Sequence, residues 1–323
     1  MTLRRTFIIG LTAMAISQPG HAQKIKHDHF RHEVSFITDN DNYLLQGRDG
    51  YYTNGFYFAL QKLSSSRHPR SVKAIMQYEL GQMIFNPYKY SIVDPEQMDR
   101  PFAGYLFVKA SRSVFFTKGN NLKYGLSVGM LGKSSGAQQT QQNYHNLINI
   151  YAVEGWDYQL KNEAGGNLHI QYSHPFFGQL KRGPMVDLHA IGKGTLGTIF
   201  TNATAGLLFR IGLIENSTQS VAWDSRLHDN SPAYLNPLEL FIFFQPEAMV
   251  QGYNATLQGG LFRDDKGPVT AELQPWLYQH RVGIMAARKR FSTVLGVVHR
   301  TREAKHMRRK ENYGSVQISY RFK

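Results

Sequence analysis

Apolar and polar residues alternate with a period of two along most of the chain. The last stretch, YGSVQISYRFK, shows the pattern most clearly: one face carries Val316, Ile318, Tyr320 and Phe322, and the other carries Ser315, Gln317, Ser319 and Arg321. Successive side chains of a strand point to opposite faces, so this alternation predicts strands. A terminal strand with one apolar face and an aromatic residue at its end is typical of an outer-membrane barrel. An amphipathic strand of a soluble sandwich has a similar pattern.

The alternation recurs in twelve segments. They are residues 33–41, 51–61, 72–85, 102–116, 120–133, 166–175, 183–194, 199–213, 237–250, 270–288, 291–302 and 312–322. An even number of strands places both chain ends on the periplasmic side of a bacterial barrel. Because every backbone group must be hydrogen-bonded inside hydrocarbon, strands that cross a membrane close on themselves. The pattern therefore predicts an all-β fold, a single twelve-stranded antiparallel transmembrane β-barrel over residues 23–323.

This strand order assigns each connection to one side of the membrane. The predicted outer links are residues 42–50, 86–101, 134–165, 195–198, 251–269 and 303–311, and the periplasmic links are residues 62–71, 117–119, 176–182, 214–236 and 289–290. The 214–236 link is unusual, because the periplasmic turns of such barrels are normally short.

The first residues have the pattern of an export signal. Arg4 and Arg5 precede a short apolar core at residues 7–16, and small residues follow as far as Ala22. The core is too short to span a bilayer, so residues 1–22 are predicted to be a secretory signal peptide that is cleaved after Ala22. The alternative is a frayed N-terminal helix.

Composition narrows the class of partner. The chain has a formal net charge of +14 and no cysteine, which excludes disulfides, thiolate chemistry and cysteine-based zinc sites. The charge stays strongly positive once Arg4 and Arg5 are removed, and a basic surface indicates an anionic partner. Because an exported chain rarely meets nucleic acid and no nucleic-acid motif is present, a phosphate-rich membrane surface is the favoured anionic partner.

One polar segment, residues 138–163, interrupts the alternation. Gln141 and His145 are four residues apart, so both project from one face of a helix. Gly155 is predicted to stop that helix, and Trp156 to anchor the segment at the membrane interface. The sequence therefore predicts a helical insert in the third extracellular loop.

Polar groups also stand at the predicted outer ends of the first, second and fourth strands. They are Asp39, Asn40, Asp41 and Asn42, then Arg48, Asp49, Thr53 and Asn54, then Asp99 and Arg100. Each has a simpler explanation. Asn-Asp-Asn is common in turns, threonine is common in strands, Asp99 and Arg100 can form an ion pair at the rim, and a lone histidine is usually solvated.

These groups have a shared chemistry. A neutral imidazole beside carboxylate and amide oxygens can take a proton from water. Such oxygens, without cysteine or several close histidines, suit calcium better than zinc. A calcium ion can polarise an ester carbonyl and stabilise its oxyanion. Together they predict metal-assisted ester hydrolysis at the lipid-facing rim.

The motifs and their order resemble those of the LpxR-type family of outer-membrane lipid A 3'-O-deacylases. The shared stretches are NDN, DGYYTNG, DRPFAG, a glutamine four residues before a histidine, GWDYQLKNE and YGSVQISYRF, which together cover essentially the whole mature chain. The resemblance implies a twelve-stranded monomeric barrel with its site between the wall and a loop helix, at the surface of the bacterial outer membrane. It implies calcium-dependent removal of the 3'-linked acyloxyacyl chain from lipid A or lipopolysaccharide.

The resemblance also implies individual roles. The matching residues are Asn40, Asp41, Thr53, Gln141 and His145. His145 matches the general base, and Gln141 is expected to orient the site. Asn40, Asp41 and Thr53 are expected to arrange the calcium ion and the attacking water.

The chain departs from the family pattern at two places. Tyr151 stands where the family has a glutamate that serves the metal, and Glu154 follows three residues later. The family's substrate-contacting lysine has no strict counterpart, although Lys89 lies nearby at a different spacing. Lys89 and Arg100 are therefore predicted as substrate contacts.

The sixth outer loop carries a basic run, RTREAKHMRRKE. Lys305, Arg308, Arg309 and Lys310 are predicted to meet lipid A phosphates. A solvated charged loop is the alternative.

Three other functions compete with the deacylase. A passive outer-membrane channel or structural barrel would not need the polar groups to converge. An outer-membrane phospholipase would pair a serine with His145, and the sequence places no serine for that role. A catalytically inactive relative would keep the polar groups as structure.

Overall fold

The computed structural model describes residues 29–45, 50–66, 68–89, 91–176, 185–229, 236 and 238–323. The predicted signal peptide, residues 1–22, lies outside these ranges and stays a prediction. Arg48 and Asp49 also lie outside them.

Twelve antiparallel strands form a closed barrel. They are β1 (His32–Asn40), β2 (Tyr51–Ser64), β3 (Ser71–Asn86), β4 (Ala103–Phe116), β5 (Asn121–Leu131), β6 (Glu163–Pro175), β7 (Val186–Gly197), β8 (Phe200–Leu213), β9 (Leu238–Asn254), β10 (Trp276–Arg288), β11 (Phe291–Arg300) and β12 (Glu311–Phe322), with helices α1 (Ala137–Ile148) and α2 (Ala255–Gln258) in the connections. Each strand pairs with its neighbours in sequence, and β1 pairs with β12. The predicted fold class is confirmed, and each of the twelve predicted segments overlaps one strand.

The seam between β1 and β12 fixes the two ends of the barrel. His32 lies opposite Phe322 at one end, and Asn40 lies opposite Gly314 at the other. We name the first the terminal end, because β1 begins there and β12 ends there, and the second the loop end.

The outer face of the wall is apolar. Residues that alternate along each strand present large apolar side chains outward, among them Val34, Phe58, Leu80, Val108, Leu126, Leu168, Ile242 and Ile318. Such a band is what hydrocarbon requires of a transmembrane barrel. Among the described residues, no helix has the length and apolar character needed to cross a membrane.

Inside the barrel, a charged layer lies between two apolar layers. The apolar layer toward the loop end includes Tyr52, Phe85, Tyr105 and Phe107. Below it, a cavity of about 310 Å³ is lined by Asp39, Tyr57, Glu79, Lys193, Glu247 and Arg281, among others. Lys193 and Glu247 form an ion pair across this cavity. The polar interior and the apolar exterior together explain the period-two alternation of the sequence.

The second apolar layer is supplied by the unusually long link. Residues 214–229, here called the plug, fold into the lumen at the terminal end, where Ile214, Val221, Trp223 and Leu227 are buried. Lys73 on β3 donates a hydrogen bond to the Leu227 carbonyl at 2.7 Å. Ser217 bonds the Gly119 carbonyl in the β4–β5 turn, across the lumen. The link is long because it fills the barrel instead of turning at the rim.

A buried cluster around Glu239 holds the plug to β9. Glu239 is fully buried and accepts hydrogen bonds from the Val221 amide and the Arg226 guanidinium, both at 2.9 Å. Its second oxygen accepts a hydrogen bond from the Ser220 hydroxyl at 2.5 Å. The Glu215 amide donates to the same second oxygen at 3.3 Å. One carboxylate therefore satisfies four donors of the plug, and its charge offsets that of Arg226.

We expect Glu239→Ala to destabilise the barrel by about 3–5 kcal/mol, because the buried Arg226 would lose its counter-ion. Urea unfolding of the protein in lipid vesicles, followed by tryptophan fluorescence, measures the change. The control is Asp229→Asn, which removes the exposed Arg31–Asp229 pair at the edge of the plug and should cost less than about 1 kcal/mol. Equal effects of the two substitutions would contradict this account of the plug.

Candidate active site

Two facing asparagines begin the site at the loop end. Asn40, the last residue of β1, lies opposite Asn54 on β2, and its Nδ2 donates to the Asn54 Oδ1 at 2.6 Å. The Asn40 Oδ1 accepts a hydrogen bond from the Asn42 amide at 2.6 Å and so caps a short 3-10 turn, Asp41–Leu44. The Asn-Asp-Asn stretch is thus a turn, and the same turn positions the polar side chains of the site.

A β-bulge places Thr53 and Asn54 on the same side of the wall. The pairing between β2 and β3 shifts its register between Tyr52 and Asn54, so Thr53 is the extra residue. Regular alternation would send Thr53 and Asn54 to opposite faces. In the structure the Asn54 Nδ2 reaches the Thr53 Oγ1 at 3.3 Å, which requires both side chains to lie together.

Asp41 completes this half of the site. Its Oδ2 accepts a hydrogen bond from the Gly50 amide at 2.9 Å, and its Oδ1 lies 3.4 Å from the Thr53 hydroxyl, which donates to it. The carboxylate is nearly buried. These bonds join the end of β1 to the start of β2 and hold the carboxylate beside the hydroxyl.

The glycine of the TNG stretch has a steric cause. A Cβ at Gly55 would come within 1.9 Å of the Tyr52 hydroxyl. That hydroxyl donates to Asp39 at 2.8 Å inside the lumen. Gly55 therefore lets the interior tyrosine cross beneath the bulge that carries Thr53 and Asn54.

The other half of the site is α1, which packs on the outer face of β3 and β4. Gly104 allows this approach, because a Cβ there would come within 2.1 Å of the Ser135 Oγ and 2.2 Å of the Ala137 Cβ. The Tyr144 ring of α1 contacts the Phe56 ring of β2, with centroids 6.2 Å apart. The helix therefore lies against the same outward face of the wall that carries Asn54.

Gln141 and His145 form the buried face of α1, as their spacing predicts. Both are almost completely inaccessible to solvent, whereas the adjacent Asn146 and Leu147 are exposed. The helix ends earlier than predicted: it stops at Ile148, and Asn149 takes the left-handed conformation of the cap with φ 55°. Asn149 rather than Gly155 provides the stop.

The hydrogen bond of His145 fixes its tautomer. The His145 Nδ1 lies 2.8 Å from the Tyr151 carbonyl oxygen. A carbonyl can only accept, so Nδ1 carries the hydrogen of the neutral ring, and Nε2 keeps the lone pair. In its neutral form, a buried histidine oriented in this way can act as a base through Nε2.

Gln141 is oriented by Trp156. The Trp156 indole N–H donates to the Gln141 Oε1 at 2.9 Å, so the amide nitrogen must point the other way. That Nε2 is buried and has no hydrogen-bond partner among the described residues. A buried donor without a partner costs free energy unless a ligand satisfies it. The prediction that Trp156 anchors the segment at the membrane interface was wrong, because its ring is buried against Phe102 and serves the helix.

Two departures from the family pattern have different outcomes. Tyr151 supplies its main-chain carbonyl to His145, and its ring packs edge-on against the imidazole with the centroids 5.4 Å apart. Glu154, the possible substitute carboxylate, is exposed on the loop after α1. Asp41 is therefore the carboxylate that the structure places with the oxygen atoms of Thr53 and Asn54.

The side-chain oxygens of Asp41, Thr53, Asn40 and Asn54 are of the types that bind a hard cation such as calcium. Among the described residues, no three side chains of the types His, Cys, Asp and Glu group into a metal site. The donors at the bulge are one carboxylate, one hydroxyl and two amides, which are ligand types that calcium accepts. A single carboxylate makes this a weakly charged site.

Lys89 and Arg100 lie in different environments. Lys89 is exposed, and its Nζ lies 5.7 Å from the centre of the Tyr88 ring, near the site. Arg100 has no exposed surface. It stacks on Phe85 at 4.5 Å and lies between Glu303 and Glu311, at 3.4 and 3.5 Å. This burial favours a structural role for Arg100 over a contact with substrate. Arg100 forms its ion pairs with Glu303 and Glu311 and not with Asp99.

Asn54 belongs to the site but is absent from the predicted set of catalytic residues. The TNG stretch was a signal for it, because an asparagine before a glycine in a strand marks an irregular position. Only the bulge shows that Asn54 faces the same way as Thr53.

We expect Gly104→Val to displace α1 from the wall without opening the barrel, because its side chain would collide with Ser135 and Ala137. Limited proteolysis should cut the 134–165 loop faster, while the folded band in heat-modifiable electrophoresis stays. The control is Gly192→Ala, whose added Cβ would meet no atom within 4 Å. Unchanged proteolysis of the Gly104 variant would refute the close packing of α1.

Comparisons with known proteins agree with this architecture. The profile of the family described as "Outer membrane protein LpxR" matches residues 7–322. The solved structure of LpxR from Salmonella typhimurium has a TM-score of 0.71 at 18% identity and covers 90% of this chain and 100% of that chain. The β domain of the Bordetella autotransporter BrkA has a TM-score of 0.45 at 10% identity, covering 91% and 99% of the two chains, a likeness too low to carry an argument. No curated protein sequence matches the chain.

Proposed function

Because this chain belongs to the LpxR family of outer membrane proteins, we propose that it hydrolyses the 3'-linked acyloxyacyl ester of lipid A in the outer leaflet. The observation that carries the proposal is the orientation of His145. Its Nδ1 is held by the Tyr151 carbonyl, so Nε2 is the basic nitrogen on the buried face of α1. The site lies on the outer surface of the wall, where a membrane lipid can reach it sideways.

The reaction begins with water. His145 Nε2 removes a proton from a water molecule, and the resulting hydroxide attacks the ester carbonyl carbon. The carbonyl oxygen becomes an oxyanion in a tetrahedral intermediate. The intermediate then collapses, the bond to the sugar oxygen breaks, and the imidazolium returns its proton to that oxygen. The products are a fatty acid and a free hydroxyl on the sugar.

The buried amide of Gln141 can stabilise the oxyanion. It lies one helical turn before His145, and Trp156 directs its Nε2 away from the indole. A pre-oriented donor without a protein partner is suited to charge that develops only during the reaction. If calcium binds, the oxygen atoms of Asp41 and Thr53 would hold it, and it would add positive charge near the carbonyl oxygen.

The polar groups at the bulge would then position the water and the ester. Thr53 and Asn54 present a hydroxyl and an amide on the outward face, and Asp41 accepts hydrogen bonds beside them. The apolar wall below them offers a surface for the acyl chains, which remain in the membrane during the reaction. The arrangement separates the polar chemistry at the rim from the hydrocarbon beneath.

A passive channel is the main alternative, and the plug argues against it. Residues of the plug bond β3, the β4–β5 turn and β9, so the segment crosses the lumen at the terminal end. A second apolar layer lies toward the loop end. An inactive relative is the other alternative, and the following experiments test it.

We expect His145→Ala to lower deacylation by about 10²–10⁴-fold, because the general base is lost. Mass spectrometry of lipid A from cells that express each protein measures loss of the 3'-linked chain, with and without a calcium chelator. The control is Asn146→Ala, the exposed neighbour on the same helix. Chelation should block the wild type if the Asp41 site holds calcium. Full activity of His145→Ala would refute the mechanism.

We expect Gln141→Met to lower kcat by about 10²–10³-fold with little change in KM, because the oxyanion loses a donor. Detergent-solubilised enzyme and purified lipid A give both constants. Trp156→Phe keeps the aromatic packing but frees the Gln141 amide, so it should lower kcat less. A large rise in KM with unchanged kcat would assign Gln141 to substrate binding instead.

A further inference from the structure

A small open cavity adjoins the catalytic carboxylate on the side of the sixth loop. It has a volume of about 40 Å³ and is lined by Asp41, Gly50, Tyr51, Tyr88, Arg309, Lys310 and Asn312. That volume holds roughly three water-sized groups. The cavity is therefore large enough for a few polar oxygens and too small for a sugar ring.

Asp99 builds this cavity by tying three segments together. Its Oδ2 accepts hydrogen bonds from the Tyr51 hydroxyl at 2.6 Å and the Arg308 amide at 2.9 Å, and its Oδ1 accepts one from the Tyr88 amide at 3.1 Å. The Tyr51 hydroxyl in turn accepts a hydrogen bond from the Arg309 amide at 3.0 Å. These bonds fix the backbone of the basic loop at Arg308 and Arg309 beside the start of β2. The Cα positions from which the basic side chains extend are therefore fixed too.

Positive charge surrounds the cavity. Arg309 and Lys310 line it directly. Arg308 stacks on the Tyr88 ring at 4.0 Å, and the Lys89 Nζ lies 5.7 Å from the same ring. Two cations therefore line the cavity, and two more lie against the tyrosine ring that forms part of its wall. The two carboxylates there, Asp41 and Asp99, already accept hydrogen bonds from the protein.

Lys305, in the same loop, has a different environment. It forms an ion pair with Glu272 and does not line the cavity. The basic run is thus divided: one part covers the cavity beside Asp41, and the other is neutralised on the β10 side of the loop end. This division argues against a uniformly solvated loop.

We propose that the cavity is a subsite for the phosphate group of the substrate, with Arg309 and Lys310 as its ligands. This inference rests on the proposed function. In lipid A the sugar carbon next to the one that carries the 3'-ester bears a phosphate. When the ester is bound beside His145, this phosphate dianion therefore lies close to the hydrolytic site. Asp41 lies in the hydrolytic site, beside Thr53, and also lines the cavity, so the cavity is adjacent to the hydrolytic site. Guanidinium and ammonium groups bind phosphate oxygens through charge-assisted hydrogen bonds.

The subsite would select substrates by their phosphate. Such a contact supplies binding in the ground state and the transition state alike, so its loss should raise KM more than it lowers kcat. It would also orient the sugar, because binding of the phosphate restricts where the adjacent ester can lie relative to His145.

The test measures binding separately from hydrolysis. The His145→Ala barrel in detergent micelles is titrated with bisphosphorylated lipid A, with enzymatically dephosphorylated lipid A and with inorganic phosphate alone. We expect Arg309→Gln/Lys310→Gln in this background to weaken binding of phosphorylated lipid A by about 10–100-fold. Binding of the dephosphorylated lipid should not change. Heat-modifiable electrophoresis confirms that each variant is folded.

Lys305→Gln is the control and is compared with Arg309→Gln alone, since each removes one positive charge from the same loop but only Arg309 lines the cavity. Equal weakening by Lys305→Gln, or equal weakening for the dephosphorylated lipid, would overturn the subsite. Inorganic phosphate that binds as tightly as lipid A would assign the cavity to the free ion and also overturn it. If wild-type protein removes no acyl chain but phosphate-dependent binding persists, the proposed hydrolysis fails and the subsite stands.

Discussion

The pairing of β1 with β12 is the constraint on which the site depends. Backbone groups in hydrocarbon must be satisfied by neighbouring strands, so the first and last strands have to meet. Their meeting places Asn40, at the end of β1, opposite Gly314, near the start of β12. The loop that precedes β12 therefore stands beside the Asp41 turn, although the 256 residues from 45 to 300 separate them along the chain. A sheet with open edges would leave these two polar segments apart.

The barrel interior acts as a support for chemistry on the outside. Two apolar layers enclose charged residues such as Lys193 and Glu247, and the plug is held by buried ion pairs. Breaking such pairs is costly, so the wall resists deformation. A stiff wall suits a site whose second half, α1, is held against it by close packing at Gly104.

Much of this architecture could be predicted from the sequence. Period-two alternation identifies all twelve strands, and the four-residue spacing of Gln141 and His145 places both on the buried face of α1. Three features could not be read in this way. The bulge at Thr53 is a register shift between strands, and the burial of Arg100 depends on distant loops. The path of the plug, residues 214–229, into the lumen depends on partners such as Lys73. All three are set by tertiary contacts that leave no local periodicity.

The acceptor of the His145 hydrogen bond belongs to the main chain of Tyr151. Any residue type at that position except one that alters the backbone path would present the same carbonyl oxygen. Orientation of the imidazole and supply of negative charge to the site are consequently separable tasks, carried by different atoms. A substitution at position 151 removes the tyrosine ring that packs edge-on against the imidazole, but it leaves the carbonyl oxygen that holds the imidazole Nδ1.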